Sequence, residues 1–391
     1  MRFSGFDDEW QSCRFDELFD FQVAGDMKKE LFNEEFIDEY KYPLYANALE
    51  NEGLLGYYKE YKYNPNSITV TARGNIGHAT ARKNKFNAVG RLIILTPKED
   101  LNIEFFTEYI NNNVKIYIES TGVPQLTAPS LKINKLHYPT LNEQNKISNL
   151  LIMLNNKIEL LGQKHQLYQY FKKYLMQQIF TQKLRFNFTD DWNYMNFSEI
   201  FKSVSTKKYQ IKSADILDKG DFEVIDQGQD EIAGYFNDKT KLCQELPIII
   251  YGDHTTFVKF RDKPFIVGAD GVKLLIPKFN ANPKYLFYAL EHFNIKPEGY
   301  KRHFSIIKKI KLPIPTLEEQ NEISEIFNYI DIKLKYTKIQ LQETEEFKKG
   351  LLQQMFIVRI NWRCNFKLAK SPSFNKHLLI LKNKIIFIII E

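Results

Sequence analysis

The chain has 391 residues, enough for two or three domains with cores of their own. With 43% hydrophobic and 14% aromatic residues it is no disordered segment, and a formal charge of +6 permits a nucleic-acid partner without demanding one. Three cysteines, Cys13, Cys243 and Cys364, are odd in number and widely spaced, which excludes a disulfide framework and a zinc knuckle.

The first ten residues are acidic at Asp7, Asp8 and Glu9 and hold no apolar run, so no signal peptide is read there and a cytoplasmic location is expected. Residues 67–71 and 91–95 are rich in β-branched side chains and predict strands, with a short helix around 102–110. The loop after the first of these strands reads Arg73-Gly74-Asn75-Ile76-Gly77-His78. From Pro139 the pattern turns helical. Ile147, Leu151, Leu154, Ile158, Leu161, His165, Tyr168, Lys172, Leu175 and Ile179 alternate steps of four and three, the seam of a coiled coil. Roughly 36 residues without proline would make a helix about 54 Å long at 1.5 Å per residue. Strands are expected again at 246–251 and 272–276, with Gly252-Asp253-His254-Thr255-Thr256 between them and a short helix at 283–292. A second seam runs through Ile323, Phe327, Ile330, Leu334, Thr337, Leu341, Thr344, Lys348, Leu351 and Met355. Helices this long with a narrow apolar stripe need a partner, and each is the obvious partner of the other, paired antiparallel and fixing a distance. Beyond Phe356 the composition changes. Residues 378–381 and 385–390 are apolar, but lysines interrupt them and they fall short of the ~20 residues that span a bilayer. The expectation is a poorly ordered tail with no membrane role.

The two halves say the same thing. Pro139-Thr140-Leu141-Asn142-Glu143-Gln144-Asn145-Lys146-Ile147-Ser148 returns as Pro315-Thr316-Leu317-Glu318-Glu319-Gln320-Asn321-Glu322-Ile323-Ser324. The match runs without a gap to Phe180 and Phe356 with 17 of 42 positions identical, so one unit occurs twice. Trp10, Phe15, Glu17 and Phe19 likewise recur as Trp192, Phe197, Glu199 and Phe201. A doubled unit approximates a two-fold axis, which suits a duplex target.

Candidate DNA-binding residues cluster in the loops. Gly74 permits a tight turn and close approach to phosphate, with Asn75 and His78 beside it, and Arg73 has the fork that reads guanine bidentately. Arg82, Lys83 and Lys85 would neutralise phosphates. In the second half Gly252, Asp253, His254 and Thr255 hold the corresponding place, Lys259 and Arg261 form a basic hairpin, and Lys301, Arg302 and His303 supply donors ahead of the second long helix. An ordinary Gly-rich hairpin with solvated charges is the competing reading. Catalytic patterns are missing. Asn282-Pro283-Lys284-Tyr285 lacks the second proline of an adenine-methyltransferase tetrapeptide, there is no phosphate-binding Gly-x-x-x-x-Gly-Lys-Ser/Thr, and the histidines show no metal-ligand spacing. The chain reads as a recogniser and not an enzyme.

The repeated Pro-Thr-Leu-x-Glu-Gln-x-x-Ile motif, with the long helix ending in Lys-Lys-x-Leu-x-Gln-Gln-x-Phe, resembles the specificity (S) subunit of type I restriction–modification enzymes. Residues 178–186 resemble that family's central conserved region, and the likeness extends over residues 1 to about 357. The resemblance implies an α+β fold: a first target recognition domain at 1–135, a spacer helix at 136–183, a second recognition domain at 184–311 and a distal spacer helix at 312–357, with 358–391 as an atypical tail. It also implies double-stranded DNA as target, one domain per half of a bipartite site. Two modification (methyltransferase) subunits would dock on the helices, and restriction (translocase and nuclease) subunits would join in the full complex. S-adenosylmethionine, ATP and Mg2+ would sit on those partners and none on this chain. The Arg73 loop and the Gly299–Ser305 segment resemble recurring family segments, the latter with residues 122–127 as counterpart. A coiled-coil adaptor with two protein-binding domains and no DNA role is the alternative.

Overall fold

The computed structural model describes residues 2–114, 124–268, 270–299 and 301–356, so Gly122, Val123, Tyr300 and the 358–391 tail lie outside the described residues. The chain divides into two compact units: residues up to 152 together with those from Lys348, and residues 153–347.

In chain order the first half holds β1 (Gln11–Arg14), α1 (Phe15–Leu18), β2 (Phe19–Val23), β3 (Phe32–Asn33), β4 (Tyr42–Tyr45), β5 (Leu54–Tyr58), β6 (Ser67–Val70), β7 (Ala79–Arg82), β8 (Asn87–Ala88), β9 (Ile93–Pro97), α2 (Ile103–Asn113), α3 (Ala128–Lys132), β10 (Lys135–Tyr138) and the 40-residue helix α4 (Leu141–Phe180). The second half repeats the plan with β11 (Asn193–Asn196), α5 (Phe197–Ile200), β12 (Phe201–Val204), β13 (Gln210–Ile211), β14 (Phe222–Ile225), β15 (Gly234–Phe236), β16 (Ile248–Gly252), β17 (Val258–Arg261), β18 (Ile266–Gly268), β19 (Val272–Pro277), α6 (Pro283–His292), α7 (Phe304–Ile307), β20 (Lys311–Ile314) and α8 (Leu317–Phe356).

Each half is built on an antiparallel four-stranded sheet, β2-β9-β6-β7 in the first and β12-β19-β16-β17 in the second. A two-stranded ribbon, β1 with β10 or β11 with β20, joins the start of each domain to its end. The smaller sheets share a core of three strands: β5-β4-β8 corresponds to β15-β14-β18, antiparallel then parallel. They differ in the fourth strand, which adds to opposite edges, β3 beside β5 but β13 beside β18. Two-residue strands such as β3 and β13 carry no periodicity, which is why the sequence signals only the larger sheet.

Burial explains the unbroken apolar run Ile248-Ile249-Ile250-Tyr251. Ile249 and Tyr251 face a cluster with Tyr285, Leu286 and Ala289 of α6. Ile248 and Ile250 face the other way, onto Ile225 and Val267 of the small sheet. A strand covered on both faces has no polar side to alternate.

The repeated motif locks each domain to its long helix. Glu143, 1% exposed, takes a bidentate ion pair from Arg2 at 2.9 and 2.5 Å, and Glu319 takes one from Arg185 at 3.1 and 2.8 Å. Gln144 donates to the Pro139 carbonyl and accepts from the Asn102 backbone N–H; Gln320 does the same with Pro315 and Asn282. The Asn102 amide also donates to Asn145 Oδ1 and Ser148 Oγ while its own oxygen caps α2 at Phe105, and Asn282 repeats this with Asn321, Ser324 and the first turn of α6. Asn282-Pro283-Lys284-Tyr285 is thus a helix start, with Asn at the cap and Pro at the first position.

Every seam position of both long helices is buried or half-buried. Within the second unit α4 and α8 run antiparallel: His165 Nδ1 lies 3.0 Å from Thr337 Oγ1, Lys172 pairs with Asp331 at 2.9 Å, and the Phe180 ring stacks on Phe327. Lys172 also reaches Glu291 of α6 at 3.1 Å. In the first unit Lys348, its repeat equivalent, reaches Glu108 of α2 at 3.2 Å. A lysine in an apolar seam therefore ties each long helix to its domain's packing helix.

Candidate nucleic-acid interface

The two candidate loops sit at equivalent places. After β6 the chain turns through Gly74 and Gly77, both with positive φ, and the Thr71 hydroxyl closes the turn by donating to the Asn75 carbonyl and accepting from His78 N–H. Arg73 stands exposed at its tip, with one guanidinium N–H donating to Gln125 Oε1 at 3.3 Å and no ion pair among the described residues. After β16 the equivalent turn is Gly252–Thr255, where a Cβ on Gly252 would lie 2.3 Å from Thr255 Oγ1. Each loop meets the segment that leads to its domain's last short helix: the Leu126 N–H donates to the Ala72 carbonyl at 2.9 Å, and the His303 N–H donates to the Asp253 carbonyl at 2.7 Å. The structure therefore brings Leu126 and His303, each from the described part of its segment, together with their respective loops.

Five sequence candidates are corrected, because the fold consumes their polar groups. Arg82, 4% exposed, stacks on the Tyr45 ring at 3.5 Å and donates to Thr69 Oγ1 and the Glu52 carbonyl. Arg261 is buried against Glu223 at 3.2 Å and donates to the Glu231 carbonyl. Lys259 donates to the carbonyls of Asp226 and Asp230, and burial holds its pKa below the usual lysine value. Asp253 accepts from the Phe304 N–H and lies 3.6 Å from Lys273, and His303 is fully buried against the Asp253 carbonyl. These five build the loops rather than face solvent.

The remaining candidates reach the surface in different states. Lys83 is exposed but paired with Glu104 at 2.7 Å, and Lys301 is paired with Glu298. Lys85 is exposed, with its ammonium 4.2 Å over the Tyr61 ring. Asn75 and His78 are exposed, and His254 and Thr255 half-exposed. Arg302 is exposed beside the second loop. Among the candidates, Arg73 and Arg302 stand out, one per half, as exposed guanidinium groups outside any ion pair shown among the described residues; Arg91, outside the candidate set, is likewise exposed and unpaired there. Among those residues no group of three or more His, Cys, Asp or Glu is placed to hold a metal, and no helix is long and apolar enough to cross a membrane.

The architecture is a doubled α+β module, each copy closed onto a long helix by one motif. The type I restriction modification DNA specificity domain matches the chain twice, over residues 7–167 and 189–346, and the chain belongs to that family. It is 32% identical over 173 residues to a putative type I specificity subunit of Mycoplasma pneumoniae, covering 41% of this chain and 47% of the relative. A putative type I restriction enzyme specificity subunit of Methanocaldococcus jannaschii is 31% identical over 110 residues, 25% of this chain and 26% of its own length. The chain spans about half or less of the length of these two relatives. The crystal structure of a type I restriction–modification S subunit from M. genitalium superposes with a TM-score of 0.69 over 91% of this chain and 97% of that one; at 18% identity the likeness is one of fold.

Proposed function

We propose that this chain is the DNA-reading component of a type I restriction–modification complex, with one domain for each half of a bipartite target. The observation that carries the reading is the repetition of one surface: two specificity domains, each with a Gly-containing loop braced by a second segment, and an exposed unpaired guanidinium in each half. Guanidinium groups of this kind suit bidentate guanine contacts or phosphate. Base chemistry belongs to modification subunits carrying S-adenosylmethionine, and cleavage to restriction subunits carrying ATP and Mg2+.

A docking face for the modification subunits is supported by a second stripe on the long helices, apart from the seam. Met153, Leu160, Leu167 and Tyr174 recur every seven residues along α4 and are 58–67% exposed. Tyr329 and Tyr336 stand at the repeat-equivalent positions of α8. Large apolar side chains at heptad spacing suit a further helix, and Lys157 and Lys164 beside the α4 stripe favour an acidic one.

The test is binding of the chain, with its modification partner, to duplex DNA over a range of salt. Affinity is expected to fall linearly in log–log form, by about 0.9 per phosphate neutralised. Binding to protein partners alone, with no salt-dependent DNA affinity, would make the chain an adaptor.

A further inference from the structure

A side-chain amide grips each loop from below, in the same way in both halves. Asn47 lies two residues past β4, and its Oδ1 accepts from the backbone N–H of Ala72 at 2.7 Å and of Arg73 at 3.3 Å. Its Nδ2 donates to the carbonyl of Gly90, in the turn before β9. Gln227 lies two residues past β14, the strand equivalent to β4. Its Oε1 accepts from the His254 N–H at 3.1 Å, and its Nε2 donates to the Asp270 carbonyl at 3.2 Å, in the turn before β19. Its own carbonyl accepts from the Thr255 hydroxyl. Neither residue belongs to a sequence motif, yet they stand 180 positions apart, the offset that also relates Asn102 to Asn282.

We propose that Asn47 and Gln227 are equivalent positioning residues that fix the recognition loops and so set the reading of the two half-sites. This rests on the reading that the loops meet DNA. The geometry isolates one peptide unit in each loop. The unit joining Ala72 to Arg73 has its N–H held by Asn47 and its C=O held by the Leu126 N–H. The unit joining Asp253 to His254 has its N–H held by Gln227 and its C=O held by the His303 N–H. With both ends of the plane tied, the direction in which the next side chain leaves the backbone is set. His254 accordingly stands where Arg73 stands.

The chemistry suits a primary amide, which places an acceptor oxygen and a donor nitrogen on one carbon; a carboxylate cannot donate and an aliphatic side chain does neither. The neighbouring glycines make room for it. Gly90 and Gly271 have φ of +69° and +86°, and a Cβ would come within 3.3 Å of Asn47 Nδ2 at the first and 2.6 Å of both polar atoms of Gln227 at the second.

The experiment uses the full chain with Asn47→Ala and Asn47→Asp, the latter keeping the acceptor and losing the donor, alongside Arg73→Ala. Amide hydrogen exchange over residues 71–78 reads the grip without DNA. Competition between duplexes altered in one half-site, with the modification partner present, reads its effect on recognition. Asn47→Ala is expected to speed exchange in the loop and to cut discrimination at one half-site about tenfold, the scale of a lost bidentate contact, with the other half-site unchanged. Gln227→Ala is expected to act on the other half-site only. Unchanged exchange overturns the grip. Faster exchange with discrimination intact, while Arg73→Ala loses it, overturns the positioning role and leaves the loop's part in DNA reading standing. If neither Asn47→Ala nor Arg73→Ala alters discrimination, the loop does not read DNA and the role assigned to Asn47 falls with it.

Discussion

Arginines in this protein sort by where the backbone points them. Arg73 and Arg302 reach solvent from loops, whereas Arg82 and Arg261 leave from strands toward the interior. Replacing Arg73 or Arg302 by Ala is expected to relax one half-site each, by about 1–3 kcal/mol of discrimination if the contact is bidentate, read by sequencing the sites methylated by the reconstituted complex. Uniform weakening on all DNA would make them phosphate anchors. Arg82→Ala is expected to behave otherwise, lowering stability by about 1–3 kcal/mol in urea unfolding, because it leaves Thr69 and the Glu52 carbonyl without their donor. The sequence shows these as four similar cations. It could not separate them, since a strand side chain changes face with each one-residue step and nothing in the 79–82 stretch marks the step. The glycines of the loops were readable, and the amides beneath them were not. Asn47 and Gln227 differ in type and hold partners that only the folded chain brings near.

The long helices were the most readable elements, because a seam kept over ten positions has no other folding solution. Less readable was what the polar letters of the repeated motif do, namely hold a domain. Glu319→Ala would strand Arg185 and remove the acceptor for Trp192 Nε1, which lies 3.0 Å away. A destabilised second unit is expected in denaturant unfolding, with Glu143→Ala acting likewise on the first. Lys172 poses a parallel test. Burial works against its charge, but Glu291 and Asp331 outweigh that and carry its pKa above the ordinary 10.5. A lysine pKa raised on folding contributes stability that is complete below the unfolded value and is lost as pH climbs through the folded one. Lys172→Met is expected to lower stability near neutrality by about 1 kcal/mol, since solvent reaches both carboxylates it leaves behind. The gap in Tm to the unaltered chain is expected to hold level through neutral pH and narrow above about pH 10.5. A gap that closes near neutrality instead would show that Lys172 is not charged in the fold.

At the scale of the whole molecule, the doubled unit predicts doubled assembly. If the apolar stripes on α4 and α8 each take one modification subunit, the native mass of the complex corresponds to two per chain. Leu160→Asp or Tyr336→Asp, both on exposed side chains, is expected to reduce it to one without unfolding the chain. Two subunits retained in both variants would move the docking face elsewhere. The repeat has another consequence, at the joint where a helix ends and a domain begins. In the second unit Phe180 packs on Trp192 and Arg185 grips Glu319, with residues 181–184 between them. In the first unit Phe356 packs on Trp10 and Arg2 grips Glu143. The anchors are the same, so a copy of residues 181–184 is long enough to run from Phe356 to Arg2. Joining them so, and opening the gene at Leu184 to make Arg185 the second residue as Arg2 is now, is expected to give a protein with an unchanged unfolding midpoint and target. The joint from Phe356 to Arg2 would then be held by the same anchors as the joint from Phe180 to Arg185, so which of the two a gene leaves open is a choice that neither joint registers.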